Sequence, residues 1–324
     1  MQPVIVGTGS YLPERVVHND ELAKMMDTSD EWIYSHTGIH QRHIAQDDQA
    51  CSDMAVEAAK RALEDAGLTE KDIDMIIVST VTGDYNGFPS TAAVVQHKLN
   101  APQAAAMDVS AACAGFIYGL ETARGFLLAG TAKRILVIGS EILTRISDWS
   151  DRSTCVLFGD GAGAAVVELT EDRPWESALH AEGSGFDKLK RELGGSAFPL
   201  KEGEVIGKNA FLYMDGQAVY LFAVRSVGQA IKEVLDKAEL TIDDIAYVVP
   251  HQANVRIIEA VCKRNKYDLD KFYMNIERTA NTSSASIPLA LDEMNKKGLL
   301  KKGDKIVLCG FGGGLTYGAI LLEW

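Results

Sequence analysis

Apolar and polar positions follow two recurring patterns along the chain. Continuous runs of Val, Ile and Leu, as in MIIVST (75–80), ILVIGS (135–140) and KIVLCG (305–310), predict strands that are buried on both faces. Between such runs, apolar residues recur at helical spacing, and this predicts helices at 52–66, 91–99, 114–128, 220–237, 255–264 and 287–297. Strands and helices that alternate in this way predict an α/β protein with mainly parallel sheets covered by helices.

The pattern occurs twice. LTEKDIDMIIV begins at position 68 and LTIDDIAYVVP at position 240, and two further pairs follow in the same order: RILVIGSE with KIVLCGFG, then GAAVVEL with GAILLEW. These matches predict two duplicated halves, 1–171 and 172–324, which pack tightly and share a layer of helices. The irregular stretch 172–209 is expected to carry an edge hairpin and loops between the halves.

Composition disfavours several classes of protein. The 324-residue chain has a net charge of −13, which disfavours a nucleic-acid partner because phosphate backbones are also negative. No apolar run reaches the ~20 residues that span a bilayer, and the N-terminal sequence has no signal-peptide pattern. The five scattered cysteines argue against a disulfide framework and a structural zinc site. We therefore expect a cytoplasmic protein that binds neither nucleic acid nor membrane.

Cys113 lies in DVSAACAGFIYGL, where a predicted strand gives way to a predicted helix. Functional residues of parallel sheets collect at such strand ends. Free N–H groups at the start of the helix favour a thiolate, and the small neighbours leave room for an acyl group. Most free cysteines are buried packing residues, however, so position alone leaves the role of Cys113 open.

Two more polar side chains follow predicted strands. In VPHQANVRI, Pro250 ends a strand because it has no N–H to donate, so His251 is either a hydrogen-bond donor at the strand end or an N-cap or loop residue. In NTSSASIPLAL, the amide of Asn281 can hold an oxyanion. The three consecutive glycines of GFGGGLTYG (310–318) also offer N–H groups to a developing oxyanion.

Taken together, these segments resemble the β-ketoacyl-[acyl carrier protein] synthase III family of the thiolase superfamily. The resemblance is carried by AACAGF, HQANVRI, ANTSSASIP and GFGGGLTYG, and it extends through GTGSYLP, DTSDEWIYSHTGI and DWSDRSTCVLFGDGAGA to cover essentially the whole chain. It implies a thiolase-like, five-layered αβαβα fold of two duplicated halves, which agrees with the repeat found above.

The resemblance implies a decarboxylating condensation that starts type II fatty acid synthesis. An acyl-CoA, usually acetyl-CoA, would acylate Cys113, and the carbanion formed when malonyl-[acyl carrier protein] loses CO2 would attack the acyl-cysteine. His251 and Asn281 would hold the thioester oxygen as it gains charge, and the N–H groups of Cys113 and Gly313 would form a second oxyanion hole. No metal or other cofactor is implied, since coenzyme A enters as a thioester substrate.

Asn281 separates this family from its relatives. Elongating synthases have a cysteine and two histidines, thiolases use two cysteines and a histidine, and hydroxymethylglutaryl-CoA synthases add a glutamate. The asparagine of NTSSAS therefore favours the initiating synthase. One alternative is a related ketoacyl synthase of secondary metabolism with another primer or acceptor. Another is a non-catalytic paralogue, which the presence of Cys113, His251 and Asn281 disfavours.

Further residues match family positions that bind coenzyme A. Trp32 in DEWI would stack on the adenine, and Arg152 in SDRST would cover the other face of that ring. The pantetheine path would be lined by Thr28, Gly216 and Asn254. The chain departs from the family at His36, where an arginine is usual, and a neutral histidine predicts weaker contact with the phosphates of coenzyme A.

Two surface features also follow from the resemblance. An acidic carrier protein needs a basic docking site, and Arg256, Lys263 and Arg264 lie on the predicted helix that follows His251. A solvated helix face is the alternative for this basic group. Phe88 in NGFPS matches a residue that closes the acyl pocket across the interface of a homodimer.

Overall fold

The computed structural model describes residues 1–171, 173–203 and 207–324 and has mixed α/β content. Its strands are β1 (Gln2–Tyr11), β2 (Arg15–His18), β3 (Gln41–Ile44), β4 (Met75–Ser79), β5 (Ala105–Val109), β6 (Arg134–Ile142), β7 (Asp160–Thr170), β8 (Trp175–Ala181), β9 (Leu189–Lys190), β10 (Tyr213–Met214), β11 (Tyr247–Pro250), β12 (Lys305–Gly312) and β13 (Thr316–Glu323). Its α-helices are α1 (Asn19–Leu22), α2 (Asp30–Thr37), α3 (Cys51–Asp65), α4 (Thr91–Leu99), α5 (Gly115–Leu128), α6 (Gly216–Lys237), α7 (Val255–Asn265), α8 (Ile276–Thr279) and α9 (Ser286–Lys296).

Two mixed sheets form the frame of the molecule. The first has the order β1-β7-β6-β4-β5, and the second has the order β11-β12-β13-β8. Among the described residues, the parallel strand pairs of these two sheets are β4–β5, β4–β6 and β11–β12, and the other four pairs are antiparallel, so the prediction of mainly parallel sheets is wrong. For β12 and β13 the reason lies in their connection, because the short link between them has no room for the crossover that a parallel pair requires.

Helices cover both faces of each sheet. The buried residues of α3 and α4 pack on one face of the first sheet, and those of α6 and α7 pack on one face of the second. Between the sheets, α5 and α9 contribute Phe116, Ile117, Leu120, Ile287 and Leu291 to a core that also contains apolar side chains of both sheets. The five-layered αβαβα fold with a shared helical layer is thereby confirmed.

The two halves repeat each other in local detail. In the first, β6 lies between parallel β4 and antiparallel β7, and in the second β12 lies between parallel β11 and antiparallel β13. The turns before β4 and β11 are closed in the same way: the backbone N–H of Thr69 donates to Asp72 (2.9 Å), and that of Thr241 donates to Asp244 (2.8 Å). The boundary between 171 and 172 stays a prediction, because Asp172 lies outside the described residues.

The predicted helices all exist, with ends that differ by a few residues. The largest difference is in α6, which begins at Gly216 rather than at 220 because the carboxylate of Asp215 accepts a hydrogen bond from the N–H of Ala218 (3.1 Å). In the described part of 172–209, β8 is an edge strand paired with β13, and β9 pairs with β10 beyond this stretch, so the expected edge hairpin is not found there.

Among the described residues, none of the helices combines the length and the apolar character that crossing a membrane requires.

Candidate active site

Cys113 sits where the first sheet meets the central helices. It lies in a 3₁₀ turn, Ala112–Ala114, between β5 and α5, and Ala112 adopts the left-handed conformation with φ 46°. The side chain is 9% exposed, so only a small part of it is open to an incoming group. A strand end followed by the first turn of a helix is the position that the sequence pattern indicates.

Burial dominates the chemistry of this thiol. Desolvation raises the pKa of Cys113 to about 12, although hydrogen bonds with Ser283 and with its own backbone N–H lower the pKa. Burial therefore opposes the thiolate that the helix end is expected to favour, and that expectation stays a prediction.

His251 follows β11 at the edge of the second sheet and is held by two hydrogen bonds. Its backbone N–H donates to the carbonyl of Cys309 (2.7 Å), and its Nδ1 lies 2.7 Å from Oγ of Ser286 at the start of α9. The ring meets Phe311 edge to face, with 5.5 Å between ring centres. Burial lowers the pKa of His251 to about 3, so the imidazole is neutral at neutral pH. The N-cap of α7 is Asn254, which excludes that alternative role for His251.

Asn281 has a fixed amide orientation. Its Oδ1 accepts a hydrogen bond from the backbone N–H of Ser283 (2.9 Å), which leaves the NH2 group as the donor available to a substrate. The backbone of Asn281 is itself fixed by hydrogen bonds to Leu157 and Gly159, each 3.0 Å long. A buried carboxyl group, Glu141 on β6, contacts the Oγ of Ser283 at 3.1 Å and so ties this segment to the other half of the molecule.

Two cavities meet at Cys113. The first, about 240 Å³, is lined by Cys113, His251 and Asn281 and also by predicted coenzyme A contacts. The second, about 320 Å³, begins at Cys113 and is lined largely by apolar side chains, among them Leu143, Ile146, Phe158, Leu189 and Leu212. A thiol between the first cavity and the second, which we call the apolar chamber, can pass an acyl chain from one to the other.

The glycine loop packs directly against the nucleophile. A Cβ built on Gly312 would lie 2.5 Å from the backbone nitrogen of Cys113, so only glycine fits at this position. Gly313 and Cys113 line the same apolar cavity. The Oγ1 of Thr316 lies 3.1 Å from the carbonyl oxygen of Gly313 and 3.0 Å from that of Ala111, which joins the loop to the segment before Cys113.

The predicted coenzyme A residues gather at the outer part of the first cavity. The lining includes Trp32, His36, Arg152, Gly216 and Asn254, and the amide of Asn254 donates to the carbonyl of His36 (3.0 Å). The guanidinium of Arg152 lies 5.0 Å from the centre of the Trp32 ring.

Thr28 and His36 have environments that bear on ligand binding. Thr28 is not among the cavity-lining residues, but its buried Oγ1 has no hydrogen-bond partner among the described residues. The ring of His36 stacks on Trp32 with 4.4 Å between centres, and its Nδ1 lies 2.7 Å from the carbonyl oxygen of Trp32. Because only an N–H can bond to that carbonyl, a neutral His36 turns a bare nitrogen to the cavity.

The predicted surface residues are exposed. Arg256, Lys263 and Arg264 lie on the solvent side of α7, and Nε of Arg256 also donates to the carbonyl of Ser35 (2.9 Å). Glu259 is exposed on the same helix. Phe88 is 86% exposed and lines neither cavity in the single chain.

Sequence reasoning missed the partners that orient the three central side chains. The sequence pattern after Asn281 does not single out Ser283 or Ser286, and Phe311 stands only within the glycine-rich segment 310–318. Hydrophobic periodicity carries no signal for such contacts, because His251 and Ser286 are brought together by packing between strand and helix. The count of four serines and threonines after Asn281 was the available hint.

Comparison with known proteins decides the family. The model described as 3-oxoacyl-[acyl-carrier-protein (ACP)] synthase III matches residues 107–183, and the model of the C-terminal part of the same family matches residues 235–324. A β-ketoacyl-[acyl-carrier-protein] synthase III of Caldanaerobacter subterraneus is 52% identical over 99% of this chain and 97% of the relative. The chain belongs to the β-ketoacyl-[acyl-carrier-protein] synthase III family.

Solved structures agree with the family match. The 3-oxoacyl-[acyl-carrier-protein] synthase III of Aquifex aeolicus superposes with a TM-score of 0.91 at 44% identity, covering 99% of this chain and 100% of that one. The priming β-ketosynthase of the R1128 polyketide pathway also has a TM-score of 0.91, at 37% identity, covering 99% of this chain and 96% of that one. The enzyme is therefore an acyltransferase of the condensing type, and its condensation is the initiating one of fatty acid synthesis.

Proposed function

We propose that the enzyme joins an acyl primer from coenzyme A to malonyl-[acyl carrier protein] with loss of CO2, using Cys113, His251 and Asn281. The observation that carries this proposal is the placement of all three side chains on one cavity that continues past the sulfur into an apolar chamber. A non-catalytic paralogue has no need of this arrangement. The reaction uses no cofactor beyond the coenzyme A thioester.

In the first step, Cys113 exchanges thioesters. Its sulfur attacks the carbonyl carbon of the acyl-CoA, the bond from that carbon to the sulfur of coenzyme A breaks, and the thiol proton leaves with free coenzyme A. The N–H groups of Cys113 and Gly313 hold the oxyanion of the tetrahedral intermediate. The contact between Gly312 and the Cys113 nitrogen supports this role, because it brings the loop against the nucleophile.

In the second step, malonyl thioester loses CO2 and its electron pair forms an enolate. Negative charge develops on the thioester oxygen, and the neutral donors of His251 and Asn281 stabilise it in a site shielded from water. A single donor of this kind contributes roughly 3–4 kcal/mol to lowering a barrier. The carbanion then attacks the acyl-cysteine, the carbon–sulfur bond to Cys113 breaks, and the sulfur takes up a proton.

The apolar chamber accepts the primer chain. A water molecule occupies about 30 Å³ of liquid, so the chamber of about 320 Å³ has room for acetyl and for chains of several carbons. We propose acetyl-CoA as a primer and expect longer acyl-CoA primers to be accepted as well. A polyketide-type priming reaction is not favoured, because relatives named as synthase III reach 52% identity and the priming ketosynthase 37%.

The proposal extends to the carrier protein and to a second copy of the chain. The exposed basic side chains of α7, Arg256 above all, form the docking site for the acidic carrier protein. We also propose a homodimer in which the exposed Phe88 of each protomer closes the acyl chamber of its partner. The residue boundary between the halves at 171/172 and a cytoplasmic setting remain predictions of the sequence.

A primer panel tests the function directly. Purified enzyme is given malonyl-[acyl carrier protein] as acceptor with acetyl-, butyryl-, isobutyryl- or octanoyl-CoA, and 3-oxoacyl-carrier products are followed by mass spectrometry. We expect product with acetyl-CoA and with at least one longer primer, and none from a Cys113→Ala variant. Absence of product with every primer would overturn the proposed function. Product that forms only when malonyl-CoA replaces malonyl-[acyl carrier protein] as the acceptor would support the secondary-metabolism alternative.

A further inference from the structure

The hydroxyl group of Ser286 is the only polar side chain among the described residues that contacts the His251 ring. The two atoms, Nδ1 of His251 and Oγ of Ser286, are 2.7 Å apart, and both residues are 1% exposed. Ser286 is the first residue of α9, whereas His251 follows β11. The contact thus joins the end of β11, in the second sheet, to the central helical layer.

The hydrogen-bond partners of Ser286 bear on the direction of this hydrogen bond. The backbone N–H of Gln252 points to the same Oγ at 3.3 Å, so the oxygen accepts there. Among the described residues, Nδ1 of His251 is the other recorded hydrogen-bond partner of this hydroxyl. A hydroxyl has one proton and two lone pairs, so it can donate to a lone pair on Nδ1 while it accepts from Gln252.

The proton of a neutral imidazole then lies on the opposite nitrogen. His251 stays neutral because its burial disfavours the charged form, and it has a single N–H to offer. With Nδ1 occupied by the Ser286 hydroxyl, that N–H is Nε2–H, the group left for a molecule in the cavity that His251 lines. This is the tautomer that an enolate oxygen needs as a donor.

We propose that Ser286 is a positioning residue that fixes the Nε2–H tautomer of His251 for the decarboxylation step. The proposal rests on the function proposed above. It parallels the way in which the backbone N–H of Ser283 turns the Asn281 amide, so that one short segment, 281–286, orients both donors. Without the Ser286 hydroxyl, Nδ1 is free to take the proton, and a fraction of the enzyme then presents a lone pair to the developing oxyanion.

The tautomer can be measured in the wild-type protein without any substitution in the contact. In ¹⁵N-histidine-labelled enzyme, the protonated and bare ring nitrogens of His251 are distinguished by chemical shift, and its signals among the seven histidines are assigned with a His251→Gln variant. We expect Nε2 to be protonated and Nδ1 to be bare at pH 7. A protonated Nδ1 in the wild-type enzyme would overturn the proposal.

The kinetic test separates the two steps. In Ser286→Ala we expect acylation of Cys113 by acetyl-CoA at the wild-type rate, with kcat for condensation reduced about tenfold or more, but by less than the ~10²–10³-fold that follows removal of an oxyanion donor. The KM for the malonyl carrier should change little. Ser286→Thr keeps the hydroxyl and should restore most of kcat.

A matched control is Ser226→Ala, which removes another 1%-exposed serine whose Oγ has no partner among the described residues. This variant should condense at the wild-type rate. If Ser286→Ala condenses as fast as the wild type, or loses acylation and condensation equally, the positioning role is refuted. If the wild-type enzyme itself fails to acylate Cys113, the proposed function fails instead, so the two failures are distinguishable.

Discussion

The guanidinium of Arg152 lies 5.0 Å from the centre of the Trp32 ring, closer than a sandwiched adenine permits. A ring stacked between two planar groups needs about twice the ~3.5 Å contact distance of carbon atoms. The predicted stacking of the adenine between these two side chains therefore requires Arg152 to move outward when coenzyme A binds. The guanidinium also donates to the carbonyl of Asp27, and this hydrogen bond is the one to be broken.

This geometry predicts the effect of removing Arg152. In Arg152→Ala we expect affinity for acetyl-CoA to fall about 2- to 30-fold, which corresponds to the free energy of a cation–π contact. The kcat/KM for a short N-acetylcysteamine thioester, which has no adenine, should stay the same. Isothermal titration with coenzyme A and steady-state rates with both thioesters provide the measurements. Equal losses for both thioesters would contradict adenine stacking at this position.

His36 is predicted to limit coenzyme A affinity. Its Nδ1 is taken up by the Trp32 carbonyl, so a neutral ring has no N–H for a phosphate group. We expect His36→Arg to raise affinity for coenzyme A up to about fivefold, which corresponds to the free energy of one exposed ion pair. The gain should be smaller at high salt. Dephospho-coenzyme A is the comparison ligand. No gain at neutral pH and low salt would refute the prediction.

The basic face of α7 is predicted to bind the carrier protein. Arg256→Glu replaces an attractive charge by a repulsive one, and we expect KM for malonyl-[acyl carrier protein] to rise about tenfold at low salt. Because Arg256 also contacts Ser35, the variant Lys263→Glu tests charge alone. Lys60→Glu, an exposed change on α3, is the control. If KM rises only for acetyl-CoA, the docking assignment is wrong.

Gly312 is predicted to be essential to the placement of Cys113. In Gly312→Ala the new methyl group would lie 2.5 Å from the Cys113 nitrogen, so either the loop or the nucleophile must shift. A shift of about 1 Å is enough to lower kcat/KM ~10²-fold. Gly125→Ala, on α5 with no atom within 4 Å of the new group, should keep activity and add about 1 kcal/mol to the unfolding free energy. Full activity of Gly312→Ala would contradict the close packing.

Much of the fold follows from patterning alone. The runs that became β4, β6 and β12 are apolar without alternation because both faces of each strand are covered by helices, and the same burial fixes the helical spacing of α5 and α9. Strand direction was not predictable, since it depends on the length of connections and on pairing partners far apart in sequence. Thus β7 and β13 return antiparallel although their composition resembles that of the parallel strands.

The site could be predicted in its positions but not in its chemistry. Cys113 and His251 stand out because each follows a strand, but the strand predicted before Asn281 is wrong, because the short helix α8 precedes it. The pKa of the thiol depends on how completely the fold buries it. Burial raises this pKa, and no local motif reports how deeply a residue is buried. The contacts of Ser286 and Ser283 likewise arise only when the second sheet and the central helices are assembled.

The central claim is that Cys113 accepts the acyl group, and intact-mass spectrometry tests it most directly. Enzyme incubated with acetyl-CoA and no acceptor should gain the mass of one acetyl group, mapped by proteolysis to the peptide containing Cys113. The adduct should be absent in Cys113→Ser and retained in Cys262→Ser, a buried cysteine of α7. An unmodified wild-type enzyme, or an adduct on another residue, would contradict the account.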